Sequence, residues 1–470
     1  MSAWRFRVRR GDAFVLSCCV VGISALAMPS PARAPTFRNT APGVSYTGSK
    51  ECAPCHRQIY ETYIQSPMGR SMSLATDASH LEKIREPFTT LSPLLNRAYT
   101  VFRSGSALYQ SEQESHTPAA SFAASEYKLE YAIGSGLHGH TYLVNRGGGL
   151  FQAPLSFYAS SQRWDFSPGY EFAESGFTRP ITRACLTCHT NAKLLLGSKG
   201  TEAVPSRAAA NQELAVGCEN CHGPGQLHVS ERRQRMRVST AIDTSIVNPA
   251  KVPARLSEDI CMNCHQGKDA RVLQPGRDFS DFRPGKPLSE VLAVFVIPPT
   301  PNGSPRSDLL DHHFALRSSK CSLASKARLT CLSCHHPHQQ LPADARANSY
   351  RGKCLTCHQE TSCALSVSQR SSSGTDDCAG CHMPKRDQRE VAHTALTNHR
   401  IGAREGERFP DEAFQMRPEL PGLIYLNGPT NPEAKPLANE VLLQTYAELA
   451  GQRPEYLQRY LLLRKQQQRR

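Results

Sequence analysis

Leu329-Thr330-Cys331-Leu332-Ser333-Cys334-His335-His336-Pro337-His338 contains the arrangement around which the chain is organised: two cysteines three positions apart, with a histidine directly after the second. The same CxxCH arrangement stands at Cys52/Cys55/His56, Cys185/Cys188/His189, Cys218/Cys221/His222, Cys261/Cys264/His265, Cys354/Cys357/His358 and Cys378/Cys381/His382. This is the spacing of a c-type haem attachment site. The two thiols add to the two vinyl groups of one haem, and the adjacent imidazole ligates its iron. Structural zinc also uses CxxC pairs, but it does not require histidine after each second cysteine. A disulfide framework has no use for the trailing imidazole. The reading is seven covalently attached haem c groups. Their proximal ligands are His56, His189, His222, His265, His335, His358 and His382.

The motifs at 331, 354 and 378 are 23 and 24 residues apart, and those at 185, 218 and 261 are 33 and 43 apart. The shorter spacings leave room for one short helix and a turn per haem. Such a segment cannot bury an apolar core of its own, so the macrocycles must supply it and the chain without haem should be largely unfolded.

Outward from the motifs, residues 1–34 read as an export signal. Arg5, Arg7, Arg9 and Arg10 form a basic start, Ala13 to Met28 an apolar run, and Ala32-Arg33-Ala34 or Ala25-Leu26-Ala27 a small-residue cleavage site. An uncleaved anchor is the alternative. Export agrees with the chemistry, because c-haem attachment belongs outside the cytoplasmic membrane in bacteria, in the periplasm or on the outer surface. Cys321 and Cys363 lie outside both signal and motifs and invite a disulfide.

Residues 35–83 form a first-haem segment and 84–180 a haem-free region. There Tyr99-Thr100-Val101-Phe102, Tyr127-Lys128-Leu129-Glu130-Tyr131 and Thr141-Tyr142-Leu143-Val144 read as strands. Residues 181–270 carry three haems, 271–330 form a connector, 331–401 carry three more haems, and 402–470 are a helical extension. The expected fold is mainly α with extensive irregular loops, organised around packed haems. It has a small antiparallel β element around residues 95–160 and a C-terminal hairpin of helices over Asn439 to Leu449 and Pro454 to Lys465.

The formal charge of +14 does not point to nucleic acid. Residues 1–34 account for five arginines and one aspartate, leaving +10, and seven haems bring 14 propionates. The basic excess is better read as propionate partners.

Function turns on the sixth ligand of each iron: a second histidine closes the centre for electron transfer, and an open position admits a substrate. Eleven histidines lie outside the motifs. His138, His228, His338, His393 and His399 are distal candidates, with His313 from the pair His312-His313. His80, His116, His140 and His336 read as ordinary packing or surface residues. Met68 and Met72 are weaker candidates for the first haem.

Several stretches resemble multihaem cytochromes of the cytochrome c-554/c-prime type, including exported ones with a C-terminal helical-repeat extension. They are YTGSKECAPCH (46–56), SPMGRSM (66–72), GSGLHGHTYL (134–143), GCENCHGPGQLH (217–228), LTCLSCHHPH (329–338), and the run from Cys378 to Arg400. The resemblance implies closely packed haem pairs with many bis-histidine irons. It makes His138, His228, His338, His393 and His399 the implied distal ligands. It also implies either an electron carrier or an enzyme of nitrogen or sulfur compounds. The leading expectation is electron hopping, with redox proteins as partners, some of them membrane-associated, docking through the C-terminal hairpin. The alternative is an oxidoreductase with an open first haem served by Arg70, His140 and Tyr142.

Overall fold

The computed structural model describes residues 36–470 apart from 93, 115–124, 171–174, 192–212, 239–241, 266–268, 299–311, 327, 373–375, 388–394, 405–406, 409–419, 430–436 and 470. The export signal, His116 and His393 therefore lie outside the described residues.

The haem-free region before the second motif is an eight-stranded antiparallel sheet. Its strands are β1 (Met72–Leu74), β2 (Phe88–Ser92), β3 (Arg97–Ser104), β4 (Ala107–Glu114), β5 (Ser125–Ile133), β6 (Gly139–Arg146), β7 (Gly149–Tyr158) and β8 (Arg163–Phe166). β2 to β8 follow one another as a meander, and β1 pairs with the far half of β5, Met72 opposite Ile133. Gly147 and Gly148, at φ of 58° and 90°, make the two-residue β6–β7 turn. A hairpin turn of this twist needs positive φ at both positions.

The sheet curls on itself. The buried Gln110 of β4 donates from Nε2 to the Leu155 carbonyl of β7 at 2.8 Å, and its Oε1 accepts the Leu155 N–H at 3.0 Å. One amide thus takes the place of a neighbouring strand. Tyr99, Val101, Leu108, Leu129, Tyr142, Val144, Leu155 and Trp164 fill the space so enclosed. Tyr131, Leu143 and Leu150 on the other face pack on Ile181 and Leu186. Leu186 belongs to the helix Arg183–His189, so the sheet directly positions the second motif.

These strands overturn the expectation of a mainly α chain with a small β element over 95–160. β1 and β2 precede that window and β8 runs beyond it. β7 is buried along almost its whole length, so it shows none of the inside–outside alternation that marks a half-exposed strand.

A second sheet joins β9 (Ala270–Leu273), β10 (Leu292–Val296) and β13 (Ile424–Tyr425) in the order β13-β10-β9. Val272, Phe295 and Ile297 face the helices Asn439–Leu449 and Pro454–Gln468 through Val441, Tyr446, Leu449 and Tyr456. Leu292 and Val294 face Phe37, Val247, Ile260 and Met262. The last two lie on the helix Ala254–Met262, which delivers the fourth motif. The C-terminal hairpin is thus part of a core rather than a free appendage. β11 (Lys385–Asp387) and β12 (Ala395–Thr397) form a third, two-stranded sheet after the last motif.

The segment with the last three motifs is built differently. Its helices Cys331–Cys334, Ala343–Cys354, Val367–Ser372 and Cys378–His382 contain no buried residue. Arg351 and Arg370, each paired with both Glu360 and Asp376, tie it together through charge. The lack of a core holds here but not for the whole chain, because the two larger sheets bury apolar clusters of their own. Cys321 and Cys363 are both unbridged. No helix among the described residues is long and apolar enough to cross a membrane.

Candidate haem and axial-ligand sites

All seven motifs fold as one helical turn. In five, the histidine N–H donates to the carbonyl of the first cysteine at 2.8–3.1 Å: His56 to Cys52, His222 to Cys218, His265 to Cys261, His335 to Cys331 and His358 to Cys354. The other two lie within the helices Arg183–His189 and Cys378–His382. Residues i and i+3 share a helix face, so both thiols of each motif lie on the same side.

Thiols of different motifs meet in pairs. Cys52 hydrogen-bonds with Cys218, Cys188 with Cys264, Cys261 with Cys331, and Cys354 with Cys378. Cys188 also reaches the Asn263 carbonyl at 3.6 Å, and Cys264 the Thr187 carbonyl at 3.8 Å. Cys221 lies within electrostatic reach of Cys264, and Cys334 of Cys354. The motifs therefore run first, third, fourth, fifth, sixth, seventh, with the second beside the fourth as a side branch.

The motif cysteines are covered to different extents. Cys55, Cys185, Cys357 and Cys381 are exposed, whereas the other ten motif cysteines are partly covered. The reason lies in which thiol makes the contact between motifs. The first motif meets the third through Cys52, so Cys55 is left on the outer side. The sixth and seventh meet through Cys354 and Cys378, which leaves Cys357 and Cys381 outward on a segment without a buried core. The second motif meets the fourth through Cys188, and Cys185 has the Thr182 hydroxyl beside it at 3.4 Å. The exposed thiols thus belong to the two ends of the row and to its side branch.

Three motif imidazoles face a second imidazole at a recurring separation. His56 and His228 have ring centres 6.5 Å apart and planes 21° apart. His222 and His338 are 5.9 Å and 13° apart. His335 and His399 are 6.0 Å and 35° apart. An imidazole nitrogen ligates a transition metal at about 2 Å, and the ring centre lies roughly 1 Å further back, so two rings flanking one iron are about 6 Å apart. All three pairs fit that group.

The outer ring nitrogens support the same assignment. A metal-bound imidazole usually donates its other N–H to a carbonyl or carboxylate, which fixes tautomer and orientation. Nδ1 of His222 meets the Val247 carbonyl at 2.7 Å, that of His382 the Gly402 carbonyl at 2.8 Å, and that of His399 the Thr397 carbonyl at 2.9 Å. Nδ1 of His228 meets Ser245 Oγ at 3.1 Å and Asp243 Oδ2 at 3.2 Å. Each keeps Nε2 for an iron. Burial holds His222, His228, His338 and His399 below the usual imidazole range. They therefore stay in the neutral form that binds metal.

The remaining histidines divide by the same test. His313 spends Nε2 on Glu258, 3.1 Å away, with Arg317 on the same carboxylate. His313, expected from the pair, thus has one ring nitrogen on a carboxylate, as His228 does. Its neighbour His312 lies within electrostatic reach of His265, His335 and His399, its pKa pushed down to about 4 chiefly by burial. His80 has both nitrogens engaged, Nε2 with Ser73 at 2.8 Å and Nδ1 with the Tyr142 hydroxyl at 3.3 Å. His138 is exposed on the β5–β6 loop, within electrostatic reach of Lys385 beside the seventh motif. Met72 packs with Tyr131, Leu143 and Leu186. Arg70 and His140 line an open cavity of about 1030 Å³ with His80 and Lys83, whereas Tyr142 is buried in the sheet core. The sequence carries no signal for Asp243, and it offers His312 only as one of the pair His312-His313. Asp243 sits in no motif, and nothing local favours His312 over His313.

Among the described residues no three His, Cys, Asp or Glu converge as a metal site of protein ligands alone. The donor set is instead paired imidazoles beside paired thiols, which suits haem c. Residues 171–223, spanning the second and third motifs, match the family model described as cytochrome c554 and c-prime. This match and the seven CxxCH motifs make the chain similar to multihaem c-type cytochromes. Among solved structures it is similar to the outer cell wall cytochrome OcwA, with 16% identity, 76% of this chain and 79% of that chain covered, and a TM-score of 0.45. No curated protein matches the chain.

Proposed function

We propose that this is an exported seven-haem cytochrome that carries electrons by hopping between closely spaced, mostly bis-histidine irons. The observation that carries the reading is the set of three facing imidazole pairs, His56/His228, His222/His338 and His335/His399. Each second histidine comes from the segment after a different motif, so consecutive centres interlock. The haems supply the one-electron chemistry. The polypeptide holds the imidazoles neutral, fixes their outer N–H groups and sets the spacing. Thiol contacts between motifs support an electron path from the first haem through the third, fourth and fifth to the sixth and seventh, with the second as a branch. The redox partners are other proteins of the periplasm or outer surface.

The alternative, a small-molecule oxidoreductase with an open first haem, loses its best support, because His228 stands opposite His56. Haem content tests the proposal. Holoprotein made in a host with c-type maturation should carry seven haems per chain by mass and by alkaline pyridine spectrum, with residues 1–34 removed. A smaller stoichiometry, or retention of zinc in place of haem, would overturn it.

A further inference from the structure

The outer hydrogen bonds of the ligating imidazoles are not alike. His222, His382 and His399 meet neutral backbone carbonyls, and Nδ1 of His335 faces the Tyr350 hydroxyl at 3.4 Å. His228 Nδ1 meets both the Ser245 hydroxyl, at 3.1 Å, and a carboxylate, that of Asp243. Asp243 Oδ1 accepts from the Ser245 N–H at 2.8 Å and from Ser245 Oγ at 2.5 Å. That leaves Oδ2 for His228 Nδ1 at 3.2 Å. Arg232 lies 3.9 Å from the same Oδ2 but nearer to Glu231, at 3.4 Å, and Glu231 is also held by Arg38 at 2.6 Å. The carboxylate is thus oriented by its own loop, while the nearby guanidinium is shared with another acid.

We infer that Asp243 is a positioning residue that makes the haem at Cys52–His56 the low-potential end of the electron path. The inference rests on the reading of His228 as that haem's distal ligand. A carboxylate accepting the Nδ1–H pushes electron density onto the imidazole, and a more basic ligand stabilises ferric over ferrous iron. A neutral carbonyl does this less. The first haem therefore gives up its electron readily. A haem held between His56 and His228 would supply one-electron chemistry, and Asp243 would bias it toward passing that electron to a haem held at the third motif, with no bond made or broken. Asp243 thus favours electron flow away from the first haem.

The test is a spectroelectrochemical titration of the holoprotein, wild type against Asp243→Asn and Asp243→Glu, with ferric electron paramagnetic resonance on each. In Asp243→Asn the lowest-potential wave should move upward, the other waves should stay, and all haems should remain low-spin. Asp243→Glu should restore the wild-type position. Should Asp243→Asn fail to take up its full haem content, Asp243→Ser, another neutral acceptor, carries the same expectation. A low-spin Asn or Ser variant whose titration superimposes on wild type would overturn the inference. His228→Ala separates this from the underlying assignment: it should turn one haem high-spin, and if every haem stays low-spin the ligation reading itself fails.

Discussion

The imidazole of His338 lies parallel to that of His222, with ring centres 5.9 Å and planes 13° apart, although the two belong to the segments of the fifth and third motifs. The Tyr63 ring meets His338 edge-on at 6.4 Å, and its hydroxyl donates to the Val216 carbonyl at 2.8 Å. Helix Arg57–Tyr63, after the first motif, thus braces the distal side of the third haem. Replacing His338 with alanine should open that iron alone. About one haem in seven should become high-spin and bind carbon monoxide when reduced, read as a carbon monoxide difference spectrum. An unchanged spectrum would remove His338 from the ligand set.

His80 sets a pH limit on the large sheet. Burial, helped by the charge of Lys83, lowers its pKa to about 4; His140 is its ring neighbour at 4.5 Å, and Ser73 and Tyr142 take its nitrogens. In the unfolded chain an imidazole titrates near 6.5. Above that pH neither state is protonated and the stability is fully present. As pH falls below it the unfolded chain takes up the proton first, and about 3 kcal/mol is lost by about pH 4. Melting temperature should therefore fall more steeply from pH 7 to pH 4.5 in wild type than in His80→Gln. Equal slopes would contradict this.

Gln110 closes the curl of the sheet. Gln110→Ala leaves both the N–H and the carbonyl of buried Leu155 without their partner. Each unsatisfied group costs about 1–3 kcal/mol, so the variant should lose roughly 2–6 kcal/mol of stability. The strand signal in circular dichroism should melt earlier, with the visible haem bands at low temperature unchanged.

The C-terminal hairpin answers to the same kind of measurement. Tyr446 is fully buried among Phe295, Leu423 and Tyr456. Tyr446→Ala should cost about 3–5 kcal/mol, the range for a large buried aromatic. Deleting residues 436–470 would strip the outer face of β9 and β10 and should lower soluble yield, rather than leave the body unchanged as expected of a free docking module.

The motifs were legible because haem attachment is local: two thiols and an imidazole within one helical turn are written in five consecutive residues. How far each thiol is covered was not, since Cys55, Cys185, Cys357 and Cys381 are exposed and the other motif cysteines partly covered, a difference set by which motifs pack together. The axial pairs were hidden too, because His56 and His228 meet only when chain segments of the first and third motifs pack together. The choice between His312 and His313 was beyond any pattern. Adjacent helical residues point about 100° apart, and the Glu258 that meets His313 lies 55 residues away in sequence. The sheet was under-read for a different reason. β1 and β8 are three and four residues long, and β7 is buried on both faces.

Ferric electron paramagnetic resonance of the wild-type holoprotein tests the central claim most directly. Paired imidazoles make the iron low-spin, and the near-parallel planes of His56/His228 and His222/His338 should split its orbitals into rhombic signals. The account predicts a spectrum dominated by low-spin centres with at least two rhombic species. A spectrum dominated by high-spin iron would contradict it.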